Sequence, residues 1–255
     1  MKATPVTPNT LSLVWEGLLD LLYPPHCLLC RQRLEEGALC AACLKEMQFL
    51  APYRACDRCG VGVSVGDTLC EPCQKGDFPE FEWSFGVGHY SGKLRRAIHL
   101  LKYEERLALA EPLGKQIARA LEAPYFPRIP LNAMGRLEFD RVVPVPLHSS
   151  RYRQRGFNQS ERLAQVVVRE RGWQLDTQGL VRVRATRSQA NLDKPERKKN
   201  MVGAFEARTP RCFEGQSVLL IDDVLTTTAT VGECAKALKG AGATVVCVVG
   251  LSYGG

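Results

Sequence analysis

From Val218 to Ile221 four apolar residues run without a polar interruption, as in a strand buried on both faces of a parallel sheet. Asp222 and Asp223 end that strand, and four threonines within five positions (Thr226, Thr227, Thr228, Thr230) surround Ala229. Val231, Ala235, Ala237 and Leu238 then recur at helical spacing up to Gly240 and Gly242. The order is strand, polar turn, helix. Ala243 to Val249 reads as a second buried strand, Arg141 to Val145 as a third stopped by Pro146, and Phe81 to Tyr90 and Leu180 to Arg184 as two more. Between them, Leu94, Ile98 and Leu101 share a helical face after Ser91, a second helix spans Leu107 to Leu121, and Leu163, Val166 and Val167 turn inward in a third from about Ser160 to Glu170. Upstream, Leu11, Val14, Leu18, Leu21 and Leu22 line one face of a helix after Thr10 that packs rather than anchors and ends before Pro24-Pro25. Strands alternating with helices predict an α/β fold.

In an open parallel sheet a turn at the carboxyl end of a strand is where ligands bind. The helix that follows begins with unpaired N–H groups and the positive end of its dipole, which favours an anion. Threonine hydroxyls add donors, and two carboxylates suit sugar hydroxyls or a hydrated magnesium ion better than a phosphate. The turn is therefore expected to hold a sugar and a phosphate together.

Eight cysteines form four Cys-x-x-Cys pairs: Cys27 and Cys30, Cys40 and Cys43, Cys56 and Cys59, Cys70 and Cys73. Each pair can present two sulfurs to one tetrahedral zinc, so four pairs imply two ions. The spacing admits sequential ribbons, which need the shortest loops, and also a cross-braced pairing. A closed four-thiolate site leaves no position for water, so both zincs are expected to be structural, replacing a core that so short a segment can hardly supply. Cys212, Cys234 and Cys247 are isolated and read as small buried apolar residues.

The chain has 255 residues, 45% of them hydrophobic, and a formal net charge of +7. That charge is concentrated: Arg182 to Asn200 carries seven basic residues against two acidic ones. A positive field beside a phosphate turn fits a polyphosphate ligand, a nucleic acid, or both. Absence of a secretory signal pattern or a membrane-spanning apolar run leads us to expect a cytoplasmic protein, where paired cysteines mean metal rather than disulfides.

The segment Val218 to Val231 resembles the binding motif of type I phosphoribosyltransferases, which use 5-phosphoribosyl-1-pyrophosphate (PRPP). The resemblance implies that Asp222 and Asp223 take the ribose and stabilise its developing positive charge as the catalytic acids, while Thr226, Thr227, Thr228, Ala229 and Thr230 take the 5-phosphate. Thr228 departs from that motif, which usually has a small residue there, so the loop is altered or PRPP binding weakened. Val143-Pro144-Val145-Pro146-Leu147-His148 followed by Arg155-Gly156-Phe157-Asn158-Gln159 is similar to the ComF family of competence-associated proteins. That resemblance covers nearly all the chain from Cys27 and implies three parts: an N-terminal helix over 1–23, a double zinc ribbon over 24–76, and a type I phosphoribosyltransferase-like, mostly parallel sheet flanked by helices over 80–255.

By the same resemblance Leu147, His148 and Ser149 contact pyrophosphate, magnesium accompanies PRPP, and the basic stretch from Thr186 through Gln189 and Arg197 to Phe205 is a loop closing over the ligand. Arg155 matches the family pattern and is a candidate for pyrophosphate or DNA. The implied function is a phosphoribosyltransferase of unknown acceptor acting in DNA uptake and natural transformation. The alternative is a non-catalytic accessory factor for single-stranded DNA or a competence helicase, with Tyr152 and Phe157 interleaved among Arg151, Arg153 and Arg155 for base stacking.

Overall fold

The computed structural model describes residues 24–47, 49, 56, 63, 67–76, 80–122, 138–186, 200–225 and 228–254. The chain divides into two compact units, Met1–Glu46 and Met47–Gly255, so the boundary falls between the two halves of the cysteine-rich segment. The expected helix over 1–23 lies outside the described residues.

In the smaller unit the first Cys-x-x-Cys pair sits on a tight turn. Arg31 N–H donates to the Cys27 carbonyl, and Leu28 N–H donates to Ala38 across the ribbon. The second pair opens α1 (Ala41–Lys45), where the Cys40 sulfur caps the helix by accepting from Cys43 N–H at 3.3 Å.

In the larger unit the first helix among the described residues is α2 (Glu71–Gln74), which follows Cys70 and has Pro72 in its first turn. The unit continues through β1 (Trp83–His89), α3 (Gly92–Tyr103), a 3-10 turn at Leu107–Leu109, α4 (Ala110–Ala120), β2 (Arg141–Pro144), α5 (Ser149–Arg155) and α6 (Gln159–Arg171). After these come β3 (Leu180–Arg182), β4 (Phe205–Ala207), β5 (Ser217–Leu225), α7 (Thr228–Gly240) and β6 (Val245–Tyr253). Four strands form one wholly parallel sheet in the order β1-β6-β5-β2, with Val142 opposite Leu219 and Leu220 opposite Val248. β3 and β4 form a separate antiparallel pair that brackets the basic stretch.

Apolar runs become central strands because both their faces are covered. One face packs on α4 and α6, which approach so closely that a Cβ added at Gly114 would lie 2.6 Å from Val166 Cβ. The other face shares a core with α7: Val218, Leu220, Val246 and Val248 meet Val231, Cys234, Ala235 and Leu238, and Phe205, Met201, Cys56 and Cys73 belong to the same cluster. Pro144 is tolerated because β2 is an edge strand.

One expectation changes. β5 does not end on the acids but runs on to Leu225, pairing Asp222 with Gly250 and Val224 with Ser252. The segment holding the three alternate arginines is helical over Ser149–Arg155, opened by His148 and closed by Gly156 in a left-handed conformation. No helix among the described residues is long and apolar enough to cross a membrane.

Candidate functional site

Both acids lie near the carboxyl end of a strand in the middle of the parallel sheet. Successive strand side chains leave on opposite faces. Asp222 shares the parity of Val218 and Leu220 and so faces the side of α7, while Asp223 shares that of Leu219 and Ile221. Asp223 is 3% exposed, and the ammonium of Lys102, near the end of α3, stands 2.7 Å from its Oδ2. Among the described residues no group gives that oxygen a well-directed hydrogen bond, and the contact with Lys102 is an ion pair. Burial works to lower the Lys102 ammonium, but the charges of Asp223 and then Asp222 outweigh it and hold the group above its ordinary value.

Asp222 is half-buried and held by two donors on one oxygen: the Ser160 hydroxyl at 3.0 Å and the N–H of Asp223 at 2.8 Å, both to Oδ1. Burial first, and the neighbouring Asp223 charge second, push its carboxyl up to about 7; Lys102, the Asp223 N–H and Ser160 oppose that rise. Ser160 is in place because Asn158 caps α6. The Asn158 amide donates to the Val145 carbonyl at 3.0 Å and its oxygen accepts from Ser160 N–H at 3.1 Å. Asn158, Gln159 and Ser160 are all buried, so this string is a brace between β2 and the acid pair.

The segment after β2 leaves at the same edge of the sheet, since Val145 N–H donates to the Ile221 carbonyl at 2.9 Å. Leu147 and His148 there are half-buried, and His148 caps α5 while Ser149 is its first residue. After β5, α7 starts at Thr228, with Ala229 partly packed against the core and Thr230 half-buried in the first turn. Helix start, acid pair and the segment after β2 thus converge at the carboxyl ends of β5 and β2, the arrangement that binds ligands in open α/β sheets. Thr226, Thr227, Gln189, Arg197 and the side chain of Thr228 lie outside the described residues.

Arg155 donates to Gln159 and lies over the Tyr103 ring, 5.3 Å from its centroid. Tyr103 and Tyr152 are exposed, but Phe157 is buried in the core, so its ring is closed to base stacking. Arg182 packs over Phe205 and donates to Thr186; burial, then the charge of Arg151, lowers its guanidinium from the ordinary value. Burial and then Asp222 push the Cys234 thiol up, which suits an inert core residue, and Cys247 is raised by burial as well. Cys212 is only half-buried.

The cysteine clusters answer the pairing question. The sulfurs of Cys27, Cys30, Cys40 and Cys43 all lie within 4.8 Å of one another, as do those of Cys56, Cys70 and Cys73, so the pairs are sequential and not cross-braced. Four sulfurs on a tetrahedral zinc sit about 3.8 Å apart given a bond of about 2.3 Å, and Cys30 and Cys40 are separated by 3.7 Å. The set fits structural zinc. Burial opposes ionisation of Cys27, but the N–H groups of Cys40, Cys30 and Leu29 bring its thiol down to about 6, further fitting a thiolate ligand. Cys59, the expected fourth ligand of the second cluster, lies outside the described residues.

Lys102 and Ser160 are the site residues that motif reasoning passed over. A cue existed for the first: Lys102 follows Ile98 by four positions, which puts it beside the buried face of α3 rather than opposite it.

Residues 18–74 match the double zinc ribbon domain family. Over 229 residues the chain is 32% identical to DNA utilization protein YhgH of Salmonella typhi, and over 228 residues 33% identical to the protein of that name from Escherichia coli K12. Over 235 residues it is 30% identical to competence protein F of Haemophilus influenzae. Each alignment covers 89% of this chain and 96% of the relative. Among solved structures it is similar to glutamine PRPP amidotransferase from B. subtilis complexed with ADP and GMP, with 21% identity and a TM-score of 0.35 over 55% of this chain and 25% of that one.

Proposed function

Because the chain belongs to the ComF family, with relatives named for competence and DNA utilization, we propose that it is a PRPP-binding, phosphoribosyltransferase-like protein acting in DNA uptake. The observation that carries this is the acid pair at the carboxyl end of β5, followed within a few residues by the start of α7. A sugar placed there meets Asp222, whose Oδ1 is already fixed by Ser160 and the Asp223 amide, and a 5-phosphate meets the N–H groups at the helix start. The segment Leu147–Ser149 would border the pyrophosphate, joined by Gln189 and Arg197 from the basic stretch and by Arg155. Magnesium would arrive with PRPP and neutralise part of its charge. In a transfer reaction pyrophosphate leaves the ribose C1 and an acceptor attacks, so catalysis rests on positioning and on the carboxylates beside a cation-like ribose. The acceptor is a matter for a screen of nucleobases and amines.

A second reading, contact with single-stranded DNA, rests on a narrower basis. Exposed Tyr103 carries Arg155 on its ring, and exposed Tyr152 shares a helix with Arg151, Arg153 and Arg155.

The test is calorimetric titration of the full chain with PRPP and magnesium. Saturable binding is expected, and the Asp222→Ala, Asp223→Ala double variant is expected to lose it. Unchanged affinity in a folded double variant would defeat the ribose assignment.

A further inference from the structure

Two adjacent carboxylates are a poor floor for a ligand as anionic as PRPP unless one of them is neutralised. The chain neutralises one internally. Lys102 reaches Asp223 Oδ2 at 2.7 Å, with only 17% of its own side chain and 5% of the aspartate side chain exposed. The two acids leave β5 on opposite faces, one toward α7 and one toward Lys102. Lys102 is itself anchored: Leu94, Ala97, Ile98 and Leu101 of its helix are buried, and the next residue, Tyr103, carries the Arg155 guanidinium on its ring. The opposite acid is less enclosed and has its Oδ1 braced by Ser160 and the Asp223 amide.

We infer that Lys102 is a positioning residue that locks Asp223 inward as a neutral pair and leaves Asp222 as the one acid that meets the sugar. The inference rests on the PRPP reading above and divides the labour that the motif assigns to both acids. Asp223 then acts through its backbone, whose N–H orients Asp222, and through the pair that cancels its own charge. Removing the ammonium alone leaves an uncompensated buried carboxylate beside the ligand. Removing both charges restores neutrality.

The experiment measures the Kd of magnesium-PRPP, with unfolding midpoints alongside, for wild type, Lys102→Met, Lys102→Arg, Lys102→Met with Asp223→Asn, and Asp222→Asn. Methionine fills the space of lysine without its charge, so a role in packing alone would leave Lys102→Met unaffected. The expected pattern is a rise of at least tenfold in Kd for Lys102→Met and a smaller change for Lys102→Arg. Recovery to within about threefold of wild type is expected when Asp223→Asn is added, and loss of binding in Asp222→Asn. If wild type binds and Asp222→Asn does not, but the double variant stays as weak as Lys102→Met, Asp223 holds the ligand directly and the inference is overturned while the PRPP reading stands. Asp222→Asn that binds like wild type overturns this inference, since another group then meets the sugar, while PRPP binding itself stands; wild type that does not bind removes the PRPP reading and this inference together.

Discussion

The half-buried Asp222 carboxyl, raised to about 7 by burial and by its neighbour's charge, sets a pH dependence with a definite sign. An unfolded aspartate titrates near about 3.9. Between that value and about 7 the folded chain holds the proton that the unfolded chain has released, so stability falls as pH rises through this window and the cost is complete above it. Asp222→Asn keeps an oxygen for Ser160 and the Asp223 amide while removing the charge. It should therefore raise the unfolding midpoint at pH 8 by roughly 3 °C or more, with the gain shrinking toward pH 4. A midpoint lowered at pH 8, or a difference independent of pH, would contradict the assigned environment. Such a gain bought with lost ligand binding is what a strained functional group produces. The acid pair itself was legible in the sequence because it followed an apolar run and preceded threonines. Its division into one paired and one open carboxylate was not, because that depends on Lys102, which only the fold brings near.

Helices and strands were legible to the extent that burial was one-sided or complete. Val218 to Ile221 and Ala243 to Val249 announced themselves as apolar runs, but Asp222 to Leu225 did not, since acids are poor strand formers until a neighbouring strand and a lysine receive them. Helix α5 was hidden for the opposite reason. Ser-Ser-Arg-Tyr-Arg-Gln-Arg buries no side chain and so has no apolar period; its bounds come from the His148 cap and from Gly156, whose φ of 75° suits glycine. The packing of α4 on α6 is equally invisible in sequence, as Gly114 reads as a weak point in a helix until Val166 is seen against it. Gly114→Val should force these helices apart and lower stability by about 1–3 kcal/mol, read as a reduced urea midpoint. A neutral effect would show that the contact is loose. Because α6 also carries Ser160, PRPP affinity should fall with it.

The whole chain combines a metal-held segment with a parallel sheet that carries the site, and each of the two compact units contains one cysteine cluster. Cysteine spacing alone established paired thiolates and left their partners open; folding brings Cys27, Cys30, Cys40 and Cys43 together as one set and Cys56, Cys70 and Cys73 as the other. In the larger unit Cys56 and Cys73 belong to the same apolar cluster as Val231 and Cys234 of α7, so zinc-binding residues and the helix after the acid pair share one core. The parallel order β1-β6-β5-β2 places the acids and the segment after β2 side by side at one edge, and this juxtaposition is what the account depends on. The most direct measurement is a crystal structure of the full chain with magnesium-PRPP bound. The account predicts ribose hydroxyls within hydrogen-bond distance of Asp222, the 5-phosphate over the start of α7, and Lys102 still paired with Asp223. Density for PRPP elsewhere on the molecule, or none at saturating ligand, would contradict it.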